Sequence, residues 1–154
     1  MTDYDLLTRF YTAFAAGDAE GMAACYHDRV VFEDPAFGRL TGQDAKDMWR
    51  MLLSAGQPEV EFEVLGNAVR ADTVEWTAKY TFGPDQRPVV NRVTGRFTTS
   101  ENRIIAHRDS FDLWAWSRQA LGTPGYLLGW SDFMRRKIQA TTGARLAAFT
   151  AKAR

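Results

Sequence analysis

The N-terminal part of the chain has apolar residues at the spacing of amphipathic helices. The first such stripe consists of Leu6, Leu7, Phe10, Tyr11 and Phe14. A period near 3.6 residues predicts a helix, with Thr2 placed to cap its first turn and Gly17 to end it. A short second helix is predicted after Asp18, and a third helix opened by Thr41 and Asp44. The stripe of this third helix is Ala45, Met48, Trp49, Leu52 and Leu53.

The period changes from 3.6 to 2 after the third helix. Residues 59–64 and 73–82 alternate between apolar and polar side chains, which predicts two half-buried strands. Turns rich in Gly, Pro, Asp and Asn precede two more predicted strands, at about residues 88–99 and 103–113. The four strands should form an antiparallel meander.

A brief apolar run, Val30–Phe32, predicts one earlier strand that Pro35 closes. Segregated helices and strands are typical of an α+β fold with helices on one face of a sheet. We therefore predict a cone-shaped, curved antiparallel sheet wrapped around three N-terminal helices, with an added C-terminal amphipathic helix. The wide end of such a cone is the expected place for a ligand cavity.

Composition narrows the class of protein. With 154 residues, 45% hydrophobic and 25% charged, the chain is sized for one globular core, and its net charge of zero predicts no nucleic-acid partner. The single cysteine, Cys25, is interpreted as a packing residue. No zinc spacing, carboxylate metal motif or glycine-rich phosphate loop is present, so no metal or organic cofactor is expected. The N-terminal residues lack the pattern of a secretory signal, and we expect a cytoplasmic protein.

The last predicted strand carries polar residues on a face that the fold should cover. His107 and Asp109 are two residues apart, so an imidazole and a carboxylate share one face. Such a pair can move a proton, because the carboxylate orients the ring and favours its charged form. The alternative is a solvent-facing pair, or an Asp109 that Arg108 neutralises.

Asp34 is the second candidate for chemistry. It ends the first β-run among apolar neighbours, and burial there would raise its pKa toward the range of a general base. The alternative is a turn carboxylate that binds nearby backbone amides, which is common for Asp before Pro.

Two stretches resemble one known superfamily. Residues 10–42, FYTAFAAGDAEGMAACYHDRVVFEDPAFGRLTG, and residues 102–114, NRIIAHRDSFDLW, are similar to the nuclear transport factor 2-like superfamily, in particular its SnoaL-like polyketide cyclase and ketosteroid isomerase branches. The resemblance covers about residues 3–116. It implies a domain at 1–116, a C-terminal helical extension at 117–154, and a homodimer formed through the convex sheet face.

The resemblance also implies roles for the candidate residues. Asp34 stands at the position of the general base of the steroid isomerases, and His107 and Asp109 stand where cyclases place acid/base groups. The oxyanion-hole positions of the steroid isomerases fall on Phe10 and on Thr94 or Val93, so a typical ketosteroid isomerase is not expected. Tyr11 lies one residue out of register, about 100° around the helix.

Three functions are compatible with these residues. The first is a cofactor-free isomerase, cyclase or hydratase acting on a small apolar or carbonyl-bearing ligand. The second is a non-catalytic binding or dimerisation module. The third is an epoxide hydrolase-like enzyme using Asp109 with Arg92, Arg96 or Arg108, for which no second carboxylate can be matched. In each, the expected pocket is lined by Phe10, Tyr11, Phe14, Trp49, Trp76, Tyr80 and Thr94.

The C-terminal residues carry most of the charge asymmetry. Residues 114–154 contain seven Lys/Arg and one Asp, so this tail is basic while the rest of the chain is acidic. Ser131 is a plausible N-cap, and the apolar face predicted for the following helix is Trp130, Phe133, Met134 and Ile138, opposite Arg135, Arg136 and Lys137. We expect packing of this helix on the body or on a dimer partner, and only this helix hints at a membrane.

Overall fold

The helices and strands follow the predicted order, with additions. A computed structural model describes residues 1–153. The elements are α1 (Asp3–Ala15), α2 (Ala19–Cys25), β1 (Tyr26–Asp34), β2 (Gly38–Thr41), α3 (Gln43–Ser54), β3 (Glu59–Gly66), β4 (Ala71–Phe82), β5 (Arg87–Ser100), β6 (Arg103–Ser110), α4 (Leu113–Leu121), α5 (Thr123–Leu128) and α6 (Asp132–Ala153).

The predicted caps hold for the first two helices. Thr2 and Asp5 form a reciprocal capping box at the start of α1, and Asp18 accepts the Gly21 N–H at the start of α2. The prediction was wrong for α3, whose N-cap is Gly42 without a side-chain bond. Thr41 instead belongs to β2, a four-residue strand that the sequence reading missed.

One curved sheet of six strands forms the body, in the order β2-β1-β6-β5-β4-β3. The predicted meander of β3 to β6 is antiparallel throughout. The sheet is nevertheless mixed, because β1 pairs parallel with β6. This pairing corrects the expectation of a wholly antiparallel sheet, and it places the end of β1 beside the end of β6.

Helices α1 to α3 fill the concave side of the sheet. Their buried side chains join those of the inner sheet face in one cluster with a high aromatic content, including Phe10, Tyr11, Phe14, Tyr26, Phe32, Trp49, Trp76 and Phe97. Burial of side chains of this size is the dominant stabilising contribution of the fold. The centre of the cone is therefore packed with rings.

The C-terminal extension consists of three helices, where the sequence predicted one. A Gly122 with φ of 69° separates α4 from α5, and Ser131 precedes α6 and accepts the Met134 N–H. Met134 and Ile138 are buried as expected, whereas Trp130 and Phe133 are exposed, so the predicted apolar face is only half correct. No helix among residues 1–153 has the length and apolar character needed to cross a membrane.

The extension covers the end of the sheet where β1 and β6 finish. Gln139 donates to the Pro35 carbonyl at 3.1 Å, and Thr142 donates to the Ala36 carbonyl at 2.8 Å. Leu113, Trp116, Met134 and Ile138 form a second apolar cluster with Ala36 and Val89. The loop after Asp34 is thus held between the sheet and α6.

Candidate active site

The parallel pairing of β1 with β6 brings Asp34 beside Asp109. Phe32 is opposite His107 and Glu33 is opposite Arg108, so the next position in the same register pairs Asp34 with Asp109. Phe32 and His107 are both buried on the inner face, and side chains two residues further on return to that face. Adjacent strands lie about 4.8 Å apart, so the two carboxyl groups are neighbours.

Asp34 is held by the backbone of the loop that follows it. Its Oδ1 accepts the N–H groups of Ala36 at 2.9 Å and Phe37 at 2.6 Å. The turn interpretation considered from the sequence is therefore present. Among the described residues, Oδ2 has no hydrogen-bond partner, which leaves one oxygen of this fixed carboxyl group available.

The surroundings of Asp34 make it an unusually weak acid. Burial raises its pKa from 3.8 to about 7, the two backbone N–H groups oppose that shift, and the negative charge of Asp109 adds to it. A carboxyl group with a pKa near neutrality can both accept and return a proton at physiological pH. The turn role and the base role are thus compatible in one residue.

This raised pKa predicts a pH-dependent stability. Asp34 binds its proton more tightly in the folded chain, with a pKa of about 7 against 3.8 for the ordinary value. Its contribution to the free energy of unfolding therefore falls as the pH rises from about 4 to 7, and is constant above that range. Between pH 5 and pH 8 we expect the free energy of unfolding of wild type to fall by about 3 kcal/mol relative to that of Asp34→Asn. Urea unfolding of both proteins at both pH values measures this difference. An equal change in the free energy of unfolding for the two proteins would contradict the prediction.

A chain of hydrogen bonds extends inward from Asp109. His107 Nε2 lies 2.8 Å from Asp109 Oδ1, and His107 Nδ1 lies 2.7 Å from the Tyr26 hydroxyl. The hydroxyl of Tyr26 also accepts the indole N–H of Trp49 at 2.8 Å. His107 and Asp109 are 1% and 4% exposed, so the solvent-facing alternative for this pair is wrong.

With Asp109 ionised and His107 neutral, the donors and acceptors of this chain have one consistent arrangement. A carboxylate can only accept, so His107 Nε2 carries the proton of that bond. The Nδ1 of a neutral imidazole is then an acceptor, and Tyr26 donates to it. Trp49 can only donate, which completes the chain. The bond to His107 therefore fixes the orientation of the Asp109 carboxyl group, and the bond to Tyr26 fixes the imidazole.

Aromatic rings enclose the imidazole of His107. The rings within 6.2 Å, centroid to centroid, are Phe10, Tyr26, Phe32, Trp49 and Phe97. Both ring nitrogens are engaged and the side chain is 0% exposed. A ligand can therefore interact with His107 only indirectly, through a contact with Asp109.

Tyr11 brings a free hydroxyl to the same region. A Cβ atom at Gly95 would lie 3.0 Å from both the Tyr11 hydroxyl and Asp109 Oδ1, so both groups approach the same bare backbone position. The Tyr11 hydroxyl is buried without a hydrogen-bond partner among the described residues. Burial, and secondly the charge of Asp109, raise its pKa well above the ordinary value. The Tyr11 hydroxyl is therefore neutral, and it can donate a hydrogen bond to a bound ligand.

The predicted pocket residues divide into two groups. Phe10, Tyr11, Phe14, Trp49 and Trp76 belong to the packed core, and Tyr80 lies at its edge, where its hydroxyl accepts the Trp116 indole N–H at 2.8 Å. Thr94 does not line the interior, and that prediction was wrong. The buried neighbours Val93 and Gly95 define the inner face of β5, and Thr94 on the other face pairs with the exposed Glu75 and Ser110.

The candidate site, meaning Asp34, Asp109 and the Tyr11 hydroxyl, is closed over by the extension. Phe37, Tyr80 and Phe111 pack against both apolar clusters and so form the junction between body and extension. The negative charge of Asp34 is a minor contribution to the raised pKa of Tyr80, after burial, which places the carboxyl near this junction. Two open surface grooves, of about 360 and 400 Å³, are not lined by the site residues.

Sequence reasoning missed Tyr26 and the link to Trp49. Tyr26 is the first residue of β1, directly after α2, and nothing in the local pattern marks it as polar and buried. The available signal was His107 itself, since a buried imidazole needs partners at both nitrogens. Among the described residues, no cluster of three or more side chains is suited to hold a metal ion.

Comparison with known proteins identifies the family. The SnoaL-like domain family matches residues 7–107, about two thirds of the chain, so the chain belongs to the SnoaL-like family. The match includes the segment with Asp34 and reaches the strand with His107. No curated protein matches the sequence at a significant level.

Solved structures with the same fold include three informative neighbours. A proposed polyketide cyclase from Silicibacter sp. TM1040 is 19% identical, with a TM-score of 0.63 over 76% of this chain and 93% of the other. A protein with a ketosteroid isomerase-like fold from Catenulispora acidiphila, in complex with trimethylamine, is 16% identical, with a TM-score of 0.65 over 82% and 98%.

The third neighbour is an epoxide hydrolase of the LEH-like type from M. tuberculosis. It is 24% identical, with a TM-score of 0.58 over 80% of this chain and 90% of the other. At these identities the likeness establishes a nuclear transport factor 2-like, ketosteroid isomerase-like α+β fold, as predicted. One fold of this kind hosts several reactions, so the residues of the site determine the chemistry.

Proposed function

We propose that this protein is a cofactor-free acid/base enzyme acting on a small, apolar, carbonyl-bearing molecule. The observation that carries the proposal is the register that sets Asp34 beside Asp109 at the covered end of the cone. Asp34 is a fixed carboxyl group with one unpartnered oxygen. The solved structures of this fold that are named as cyclases and epoxide hydrolases support a small-molecule reaction.

Each residue has a role in this proposal. Asp34 Oδ2 takes a proton from the carbon next to the carbonyl. The electron pair of the C–H bond forms a C=C bond, and the π pair of the carbonyl moves to its oxygen, which gives an enolate. The Tyr11 hydroxyl, a buried donor without a partner, receives that oxygen. Asp34 then returns the proton to carbon, at the same or a conjugated position. Asp109 raises the basicity of Asp34 through its charge.

His107 acts as a positioning residue here. Both of its nitrogens are used, by Tyr26 and Asp109, and it is enclosed by rings. The sequence analysis predicted His107 as an acid/base group. The geometry favours an indirect role, in which the Tyr26–His107 pair holds the Asp109 carboxyl group close to Asp34.

A non-catalytic binding module is the second candidate, and one observation favours it. The interior of the cone is filled by aromatic side chains, and neither well-formed groove reaches Asp34. A ligand enters the site only after α4 and α6 move away from the Phe37, Tyr80 and Phe111 junction. A module that only assembles with a partner would function without this movement of α4 and α6.

Deuterium exchange tests the proposal without a known product. The protein is incubated in D₂O with a panel of cyclic and aromatic ketones, and NMR follows replacement of the hydrogens next to the carbonyl. We expect catalysed exchange for at least one ketone, rising with pH as Asp34 loses its proton near its pKa of about 7. Ketones that bind, seen as shifted protein resonances, without any exchange would support the binding module instead. A parallel epoxide panel that gives diols, with no ketone exchange, would favour the hydrolase.

A further inference from the structure

An exposed apolar patch lies on the C-terminal extension, away from the candidate site. We define the aromatic patch as Tyr126, Leu127, Leu128, Trp130 and Phe133. Trp130 is 71% exposed and Leu127 is 63% exposed, which is unusual for five large apolar side chains within eight residues. Contiguous apolar surface of this kind marks an interaction site.

The fold holds the aromatic patch outward. Gly125 and Gly129 are buried against Ser117 of α4, and a Cβ atom at Gly129 would lie 2.6 Å from the Ser117 Cβ. The indole N–H of Trp130 donates to the Leu127 carbonyl at 2.9 Å, which ties the two sides of the turn together. Because Gly125 and Gly129 face α4, the large apolar side chains of this segment face the solvent.

Positive charge surrounds the aromatic patch. Arg136 and Lys137 follow Phe133 by three and four residues on α6, so they share its side of the helix, and both are exposed. The guanidinium of the half-buried Arg118 lies 4.3 Å from the Trp114 ring centroid and 5.8 Å from that of Tyr126. Asp132 is the one acidic residue between positions 113 and 153.

We propose that the aromatic patch and its basic border dock on an anionic lipid bilayer. Trp and Tyr place an apolar ring and a polar N–H or O–H at the boundary between acyl chains and headgroups, and Lys and Arg meet the negative headgroups. A closed symmetric dimer through the same patch would bring two sets of these cations together, which is repulsive. The proposal is independent of the reaction at Asp34.

Vesicle co-sedimentation tests this docking. The probes are vesicles of phosphatidylcholine mixed with phosphatidylglycerol, and vesicles of phosphatidylcholine alone. We expect the wild-type chain to bind the mixed vesicles, to bind neutral vesicles much more weakly, and to dissociate as salt is added. Tryptophan fluorescence of the wild-type chain should shift to shorter wavelength on binding, and a Trp130→Ser variant, which keeps the other four tryptophans, should show a smaller shift.

Two pairs of variants separate the apolar and the charged contributions. Trp130→Ser with Phe133→Ser should lower binding to mixed vesicles about a hundredfold or more, the loss expected for two buried rings. Arg136→Gln with Lys137→Gln should lower it about 30-fold, since each cation near an anionic surface contributes about 1 kcal/mol. Both pairs remove exposed side chains, so melting temperatures should stay unchanged.

The matched control is Arg70→Gln with Lys79→Gln, which removes the same charge from exposed positions on another part of the surface. It should bind like wild type. Absence of wild-type binding to mixed vesicles, or an equal loss in this control, would overturn the proposal. So would a concentration-dependent dimer that Trp130→Ser with Phe133→Ser dissociates while vesicles are not bound, because the patch would then join two copies.

Discussion

Replacing Asp34 by asparagine is expected to lower catalysed hydrogen exchange about a thousandfold, the usual range for loss of a general base. Asparagine has the same shape, and its carbonyl oxygen can accept the Ala36 and Phe37 N–H groups that now bind Oδ1. The amide nitrogen that replaces Oδ2 cannot take a proton at neutral pH. The variant therefore keeps the turn and loses the base, which separates the two roles of this residue.

Exchange rates from NMR, measured on the ketone that wild type processes best, check this result. Asp85→Asn is the matched control, because it makes the same isosteric change at an exposed turn residue. We expect wild-type exchange in that control and wild-type ligand shifts in Asp34→Asn. If Asp34→Asn exchanges hydrogen as fast as wild type, Asp34 is only a turn residue and the proposed reaction is wrong.

The spacing of apolar residues predicted the helices and strands, because this spacing depends only on residues that are close in sequence. Alternation along β3 and β4 and the N-cap at Thr2 are confirmed, because each reflects neighbours in sequence. The parallel pairing of β1 with β6 joins residues about 75 positions apart, such as Phe32 and His107, and no local period encodes it. The short β2 was missed because four residues are too few to show a period.

The candidate site shows the same division. Asp34 and Asp109 were found from their residue types and from the family resemblance, but their adjacency depends on the long-range register. Thr94 was placed inside because a one-residue gap in the comparison left its face undecided, and a shift of one residue reverses the face of every strand side chain. Tyr11 and Phe10 are both buried, since α1 is surrounded by sheet and helices and has more than one covered side.

The extension links the two ends of this molecule. Helix α6 begins beside the aromatic patch at Phe133, contacts the loop after Asp34 through Gln139 and Thr142, and reaches α3 through Thr150, whose hydroxyl lies 3.3 Å from Asp47 Oδ2. The same helix therefore carries the proposed lipid contact and closes the proposed active site. An apolar ligand dissolved in a bilayer would meet the protein at the element that has to move for its entry.

Substituting His107 by phenylalanine is expected to destabilise the fold by about 3 kcal/mol or more. Phenylalanine fills the space among Phe10, Phe32 and Phe97, so little cavity is left. The cost comes from Asp109, which loses its only hydrogen-bond partner among the described residues and becomes a buried, unpaired carboxylate. The Tyr26 hydroxyl keeps only the Trp49 N–H.

A double-mutant cycle separates this polar effect from packing. Asp109→Leu in the His107→Phe background removes the buried carboxylate that has lost its partner, so the double variant should recover much of the lost free energy of unfolding. His27→Phe is the matched control, because His27 is half-buried and its Nδ1 only accepts the Arg29 N–H. Urea unfolding at pH 8 is measured for five proteins: wild type, His107→Phe, Asp109→Leu, the double variant and His27→Phe. A His107→Phe variant no less stable than His27→Phe, or a double variant whose two effects simply add, would mean that the imidazole contributes by packing alone and not through its hydrogen bond to Asp109.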